Sequence, residues 1–159
     1  MKNILVADLM TREPLTAHPD DSLLDCAKKM SKKKVGSLLL VNKKRLVGFL
    51  SERDILWAVV KKSKKGLSET KAIEISPKKI ITIKPSATIQ ETIRKMNKTK
   101  FDRLPVINNN QVVGIITARD ILNFNPEFYP ELEEFAKIRE ESEKLRKIKK
   151  TKGYLREGI

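Results

Sequence analysis

Shifted by 66 residues, the sequence matches itself: Ala7–Ala58 aligns with Ile73–Phe124 without a gap, and 14 of 52 positions are identical. The identities include Thr16/Thr82, Pro19/Pro85, Met30/Met96, Leu38/Leu104, Asn42/Asn108, Val47-Gly48 with Val113-Gly114, and the run Arg53-Asp54-Ile55-Leu56 with Arg119-Asp120-Ile121-Leu122. Ten of the other positions exchange one aliphatic residue for another. Internal repetition of this kind has to be read before any single element, because each copy is one supersecondary unit. The body is therefore two copies of one unit rather than an array.

Within each copy the apolar period changes twice. Leu23, Ala27 and Met30 share a helical face, as do Ile89, Ile93 and Met96. Gly36 to Val41 and Leu46 to Leu50 read as two strands joined by a polar turn at Asn42 to Arg45, and Leu104–Ile107 and Val112–Ile116 repeat the hairpin. A second helix is expected to start at Ser51 or Thr117, so each unit reads strand, helix, strand, strand, helix. The expected fold is α+β, with one unit over residues 1–66, a second over 67–125, and a polar linker from Lys61 to Glu69. Beyond Pro126 and Pro130 a helical tail is expected over 126–159, with a single helix from Glu131 to Lys150. Its pairs Glu133/Lys137, Glu140/Lys144 and Glu143/Lys147 sit at favourable helix spacing, and its narrow apolar stripe is expected to dock on the body or on a second chain.

Composition closes off several function classes. The longest apolar run, Ile55 to Val60, falls far short of the ~20 residues of a membrane-spanning helix, and the amino terminus reaches Asp8 before any long apolar stretch. A cytoplasmic location without membrane association is expected. One cysteine, Cys26, forbids an internal disulfide, and with one histidine, His18, no Cys/His zinc site is expected. Cys26 reads as a small packing residue, His18 as exposed, and Trp57 as packed against the core or a dimer partner. Neither a paired histidine and nucleophile nor a glycine-rich phosphate loop is present, so no catalytic residue, metal or cofactor is expected. The net charge of +14 lies in the body, where residues 1–125 hold 25 bases and 12 acids. Solvated lysine explains it; attraction for nucleic-acid phosphate is the alternative, although aromatics at 5% argue against a stacking platform.

The residues that carry chemistry are Gly48-Phe49-Leu50-Ser51-Glu52-Arg53-Asp54 and Gly114-Ile115-Ile116-Thr117-Ala118-Arg119-Asp120. A hydroxyl precedes a carboxylate by three positions where a strand turns into a helix, which is the pattern of a helix-capping box. The same residues also suit a nucleotide: a carboxylate can accept both hydroxyls of a ribose diol, and Arg53 or Arg119 can pair with phosphate. Both readings stand on the motif alone.

The two copies resemble the CBS (cystathionine β-synthase) domain, and the pair resembles a Bateman module of the archaeal stand-alone type over about residues 7–124. The Gly-h-h-Ser/Thr-x-Arg-Asp stretch carries the resemblance, with Arg103-Leu104-Pro105-Val106-Ile107 as a second marked segment. The resemblance implies two CBS units packed about a pseudo-twofold axis with two clefts for adenosine-containing ligands. Carried over, the first cleft would combine Ser51 and Asp54 with Thr82, Ile83, Leu104 and Pro105, with Arg103 and Arg119 facing phosphates. The second would combine Thr117, Arg119 and Asp120 with Thr16, Ala17, Gly36, Ser37 and Leu38. The first is expected to be the complete site, because Ser37 and Leu39 replace Arg103 and Pro105 in the second. The function expected is a non-catalytic, homodimeric sensor of AMP, ADP, ATP or S-adenosylmethionine that signals to an effector protein. A nucleic-acid-binding platform is the alternative.

Overall fold

The computed structural model describes residues 3–61 and 64–137. Copy one contains α1 (Val6–Leu9), β1 (Thr16–Ala17), α2 (Leu23–Lys33), β2 (Ser37–Asn42), β3 (Arg45–Ser51) and α3 (Glu52–Val60). Copy two contains α4 (Ala72–Ile75), α5 (Ile89–Thr99), β4 (Arg103–Asn108), β5 (Gln111–Thr117) and α6 (Ala118–Phe124). A 3-10 turn, Pro126–Phe128, leads into a further helix, α7, whose described residues are 129–137. The rest of the tail, with the pairs expected at Glu140/Lys144 and Glu143/Lys147, lies outside the described residues.

β2 and β3 form an antiparallel hairpin, and β1 joins β2 in parallel with Ala17 opposite Leu40. In copy two the first strand shrinks to a single parallel bridge between Ile83 and Val106, the same pair one repeat later. Both hairpins turn on two residues in the left-handed region, Lys43-Lys44 and Asn109-Asn110. Such a two-residue turn matches the twist of its strands, and asparagine tolerates the conformation better than lysine. Helices α2 and α5 each bury one face, Leu23, Cys26 and Met30 in the first and Ile89, Thr92, Ile93 and Met96 in the second.

The leading helices change places. The N–H groups of Val6 and Ala7 donate to the carbonyls of Ala87 and Pro85, and one repeat later those of Ala72 and Ile73 donate to Asp21 and Pro19. Val6 is wholly buried in the core of copy two with Ile83, Ile93 and Leu104, while Ala72 lies in the core of copy one with Leu23, Leu38 and Leu50. The divisions at 66 and 125 thus partition the sequence, whereas each core is completed by the other copy's first segment.

The glycines of the motif lie under these exchanged segments. A Cβ on Gly114 would stand 2.7 Å from the Thr11 carbonyl oxygen and 2.8 Å from Met10 Sδ, so only glycine lets Thr11 and Ile115 exchange backbone hydrogen bonds of 2.9 and 3.0 Å. In copy one the residue equivalent to Thr11 is Pro77, which has no N–H. Ser76 Oγ instead accepts the Phe49 N–H at 3.0 Å. Helix α7 docks on copy two: Leu132 is fully buried in its core and Phe135 packs against it. Asn97 Nδ2 donates to the Glu131 carbonyl at 2.8 Å, and the Glu133–Lys137 pair expected on this helix is present at 2.9 Å.

Candidate functional site

Each motif folds as a capping box in which one carboxylate oxygen does all the capping. Asp120 Oδ2 accepts from the Thr117 N–H at 2.8 Å and from its hydroxyl at 2.9 Å, while Thr117 Oγ1 accepts the Asp120 N–H. Asp54 Oδ2 receives the same two bonds from Ser51, both 2.8 Å. Among the described residues, Oδ1 of either aspartate takes no hydrogen bond. The two readings of the motif are therefore compatible: the cap orients the side chain and leaves a charged acceptor for a ligand hydroxyl, where a charge-assisted bond contributes about 1.5–3 kcal/mol.

The second cleft lies between the start of α6 and the β1–β2 edge. It brings together Thr117, Arg119 and Asp120 from copy two with Thr16, Gly36, Ser37 and Leu38 from copy one, in a cavity of about 630 Å³. That volume falls within the usual ~300–1,000 Å³ of small-molecule sites. Of the residues expected here only Ala17 does not reach the wall; it is buried in the core of copy one. Glu13, Lys33 and Lys34, which sequence reasoning missed, join the wall along with Asp102 and Arg103 of copy two.

The first cleft assembles less of its expected set. Ser51, Arg53, Asp54 and Arg103 line a cavity of about 620 Å³ with Glu52, Lys100, Phe101, Glu134 and Phe135. Pro105 lines a smaller adjoining pocket with Arg103, Phe101 and Ile81, and Thr82 and Ile83 face a separate surface groove beside Lys84. Leu104 is wholly buried, and Arg119 lines the second cleft rather than this one. The cause is bulk. Phe101 and Arg103 stand where copy one has Val35 and Ser37, and both line the cavity on each side of them. Phe135 of α7, a contact invisible from the repeat because copy one has no equivalent helix, closes part of the wall.

The charges on the two walls also differ. The second cleft has Lys33, Lys34, Arg103 and Arg119 against Glu13, Asp102 and Asp120; the first has Arg53, Lys100 and Arg103 against Glu52, Asp54, Asp102 and Glu134. Glu52 occupies the repeat position of Ala118, and Lys100 is ion-paired with Glu134 at 2.8 Å. Arg103 belongs to both walls. Its Nε and Nη2 are held by Asp102 at 3.1 and 3.4 Å, and its Nη1 stands 2.9 Å from where a Cβ on Gly36 would be.

Other residues singled out in the sequence have structural roles. Cys26 is buried in the core of copy one, and desolvation pushes its thiol up to about 11. His18 is exposed, and its Nδ1 accepts the Asp20 N–H. Trp57 does not pack on the core: it is 53% exposed on α3, with Lys61 Nζ 4.4 Å from its ring centroid. The helix buries Ala58 alone, so the tryptophan falls on its outer face. No helix of the described residues is long and apolar enough to cross a membrane, and no group of three His, Cys, Asp or Glu among them could hold a metal ion.

Comparison with known proteins gives a consistent result. The family model described as the CBS domain matches twice, at residues 6–61 and 72–127. An uncharacterised protein of Methanopyrus kandleri is 29% identical over 84% of this chain and 69% of its own length. The CBS domain pair of protein MJ0100, solved in complex with 5′-methylthioadenosine and S-adenosyl-L-methionine, superposes with a TM-score of 0.69 and 28% identity over 77% of this chain and 96% of that one. A CBS domain protein of Pyrobaculum aerophilum complexed with AMP gives a TM-score of 0.70 and 29% identity, covering 82% and 98%.

Proposed function

The chain belongs to the CBS domain family, as a tandem pair, and on that premise we propose that it is a non-catalytic regulatory module that binds adenosine-containing ligands in the clefts between its two copies. The observation that carries this reading is the second cleft, where Asp120, capped through Oδ2 with Oδ1 unengaged, shares a wall with Arg119, Arg103, Lys33 and Lys34. A diol acceptor beside a cluster of cations matches the sugar and phosphates of a nucleotide. The complexes of related pairs with AMP, S-adenosyl-L-methionine and 5′-methylthioadenosine support the same ligand class. AMP, ADP, ATP and S-adenosylmethionine are the ligands proposed, acting in the cytoplasm and read out by an effector protein.

We further propose a homodimer formed through α3. Leu56, Trp57, Val59 and Val60 are 63, 53, 53 and 68% exposed on successive turns of one helix, a contiguous apolar surface of the kind that marks an interaction face. The alternative of a basic nucleic-acid platform gains no observation from the fold or the comparisons. Isothermal titration of AMP, ADP, ATP, S-adenosylmethionine and adenosine tests the reading. Saturable heat with one or two sites per chain is expected for at least one compound, and silence from all five overturns it. Sedimentation of Leu56→Glu alongside the wild type tests the dimer, which the substitution is expected to convert to monomer.

A further inference from the structure

We propose that the two clefts sort adenosyl ligands by the charge at the 5′ end. The second takes a 5′-phosphorylated nucleoside, with Arg103 committed to its phosphate, and the first takes an adenosyl compound that carries no phosphate. This inference rests on the adenosyl reading above and gives each cleft its ligand class.

Arg103 is the only arginine at its repeat position, since copy one has Ser37 there, yet it lines both cavities. Asp102 fixes two of its nitrogens and leaves Nη1 over Gly36, which itself lines both clefts. One guanidinium in that position serves one phosphate at a time. The remaining charges decide which cleft wins it. Beyond Arg103, a phosphate in the second cleft meets Arg119, Lys33 and Lys34 against Glu13, Asp102 and Asp120. In the first it meets Arg53 and a Lys100 paired with Glu134, against Glu52, Asp54 and Asp102 as well. Like charges a few ångströms apart in a partly desolvated cleft raise the energy of the bound anion, and opposite ones lower it. An uncharged 5′ group avoids that repulsion. Phe101 and Phe135 also line the first cleft, and an aromatic ring is a favourable neighbour for a thioether sulfur.

The test is sequential calorimetry on the intact chain. AMP is expected to saturate at one per chain, and 5′-methylthioadenosine is then expected to bind once more to the AMP-saturated protein. Arg103→Ala should weaken AMP tenfold or more, a loss several times larger than any it causes to 5′-methylthioadenosine, which touches Arg103 only as part of the first cleft's wall. Glu52→Ala should admit a second AMP. Both variants alter exposed or half-buried side chains, and thermal melting checks that each stays folded. Two equivalent AMP sites in the wild type, exclusion of 5′-methylthioadenosine by AMP, or an Arg103→Ala loss that falls equally on both compounds would overturn the sorting while leaving the adenosyl reading intact. No heat from either compound would overturn that reading itself.

Discussion

Asp120 does two jobs with two oxygens, and two substitutions separate them. Asp120→Asn keeps a carbonyl oxygen to accept the Thr117 N–H and hydroxyl, bonds that measure 2.8 and 2.9 Å in the wild type, and replaces the other oxygen by an amide that can no longer accept. Asp120→Ala removes both. Loss of a capping side chain costs about 0.5–2 kcal/mol of stability. Loss of a charge-assisted bond to a ribose hydroxyl costs about 1.5–3 kcal/mol of affinity, roughly tenfold to a hundredfold. Urea unfolding should therefore place Asp120→Asn near the wild type and Asp120→Ala about 1 kcal/mol below it, while calorimetry with AMP finds both variants weakened by at least tenfold. If Asp120→Asn binds AMP within twofold of the wild type, the unengaged oxygen is not a ligand acceptor and the motif is a helix cap only. If Asp120→Ala is as stable as the wild type, the assignment of the other oxygen to the cap is wrong.

Gly114→Ala drives a methyl group to 2.7 Å from the Thr11 carbonyl, backbone that is itself tied to β5, so a loss of about 1–3 kcal/mol is expected in urea unfolding. Gly36→Ala meets only the ends of the Glu52 and Arg103 side chains and should melt near the wild type while weakening AMP. Leu132→Ala empties a fully buried site where α7 meets copy two and should cost about 2–5 kcal/mol, or release the helix to early proteolysis if α7 detaches alone. Cys26, with its thiol raised to about 11 by burial, should resist iodoacetamide at pH 8 until denaturant is added; rapid labelling of the folded protein contradicts its burial. Asp21 is held below the usual carboxylate range by the hydrogen bond from Lys29, so its contribution is present at neutral pH and lost as pH falls through its folded pKa. Both side chains are partly exposed, and Lys29→Met should lower stability by no more than about 0.5 kcal/mol at pH 7, with the difference vanishing at pH 2.

Much of this was legible from residues in register. The repeat, the hairpins, the amphipathic faces of α2 and α5 and the caps at Ser51 and Thr117 all depend on neighbours within one copy, where apolar period and turn chemistry act directly. The exchange of α1 and α4 was not legible, because a four-residue helix carries no period and its partners are reached only through the fold. The ranking of the clefts shows the same limit. Arg103 and Pro105 made the first cleft look complete on the motif, yet Arg103 belongs to both walls and Pro105 falls in a side pocket, with Phe101 lining that pocket and the main cavity alike. One informative difference was in plain view: Glu52 against Ala118, a carboxylate present in one copy of the motif and missing from the other.

The crossing of the leading segments also fixes an order of events during synthesis. Copy one can close once residues 70–76 emerge, shortly after its own hairpin and helix. Copy two must wait for β5 and α6, and then recapture residues 4–11, which are synthesised long before either element and are completed only by that core. Those contacts, such as Thr11 with Ile115, span most of the body and carry a large loop-closure cost. Removing residues 1–10 should accordingly unravel the far half of the molecule rather than the near one, because copy two depends on residues made well before its own hairpin.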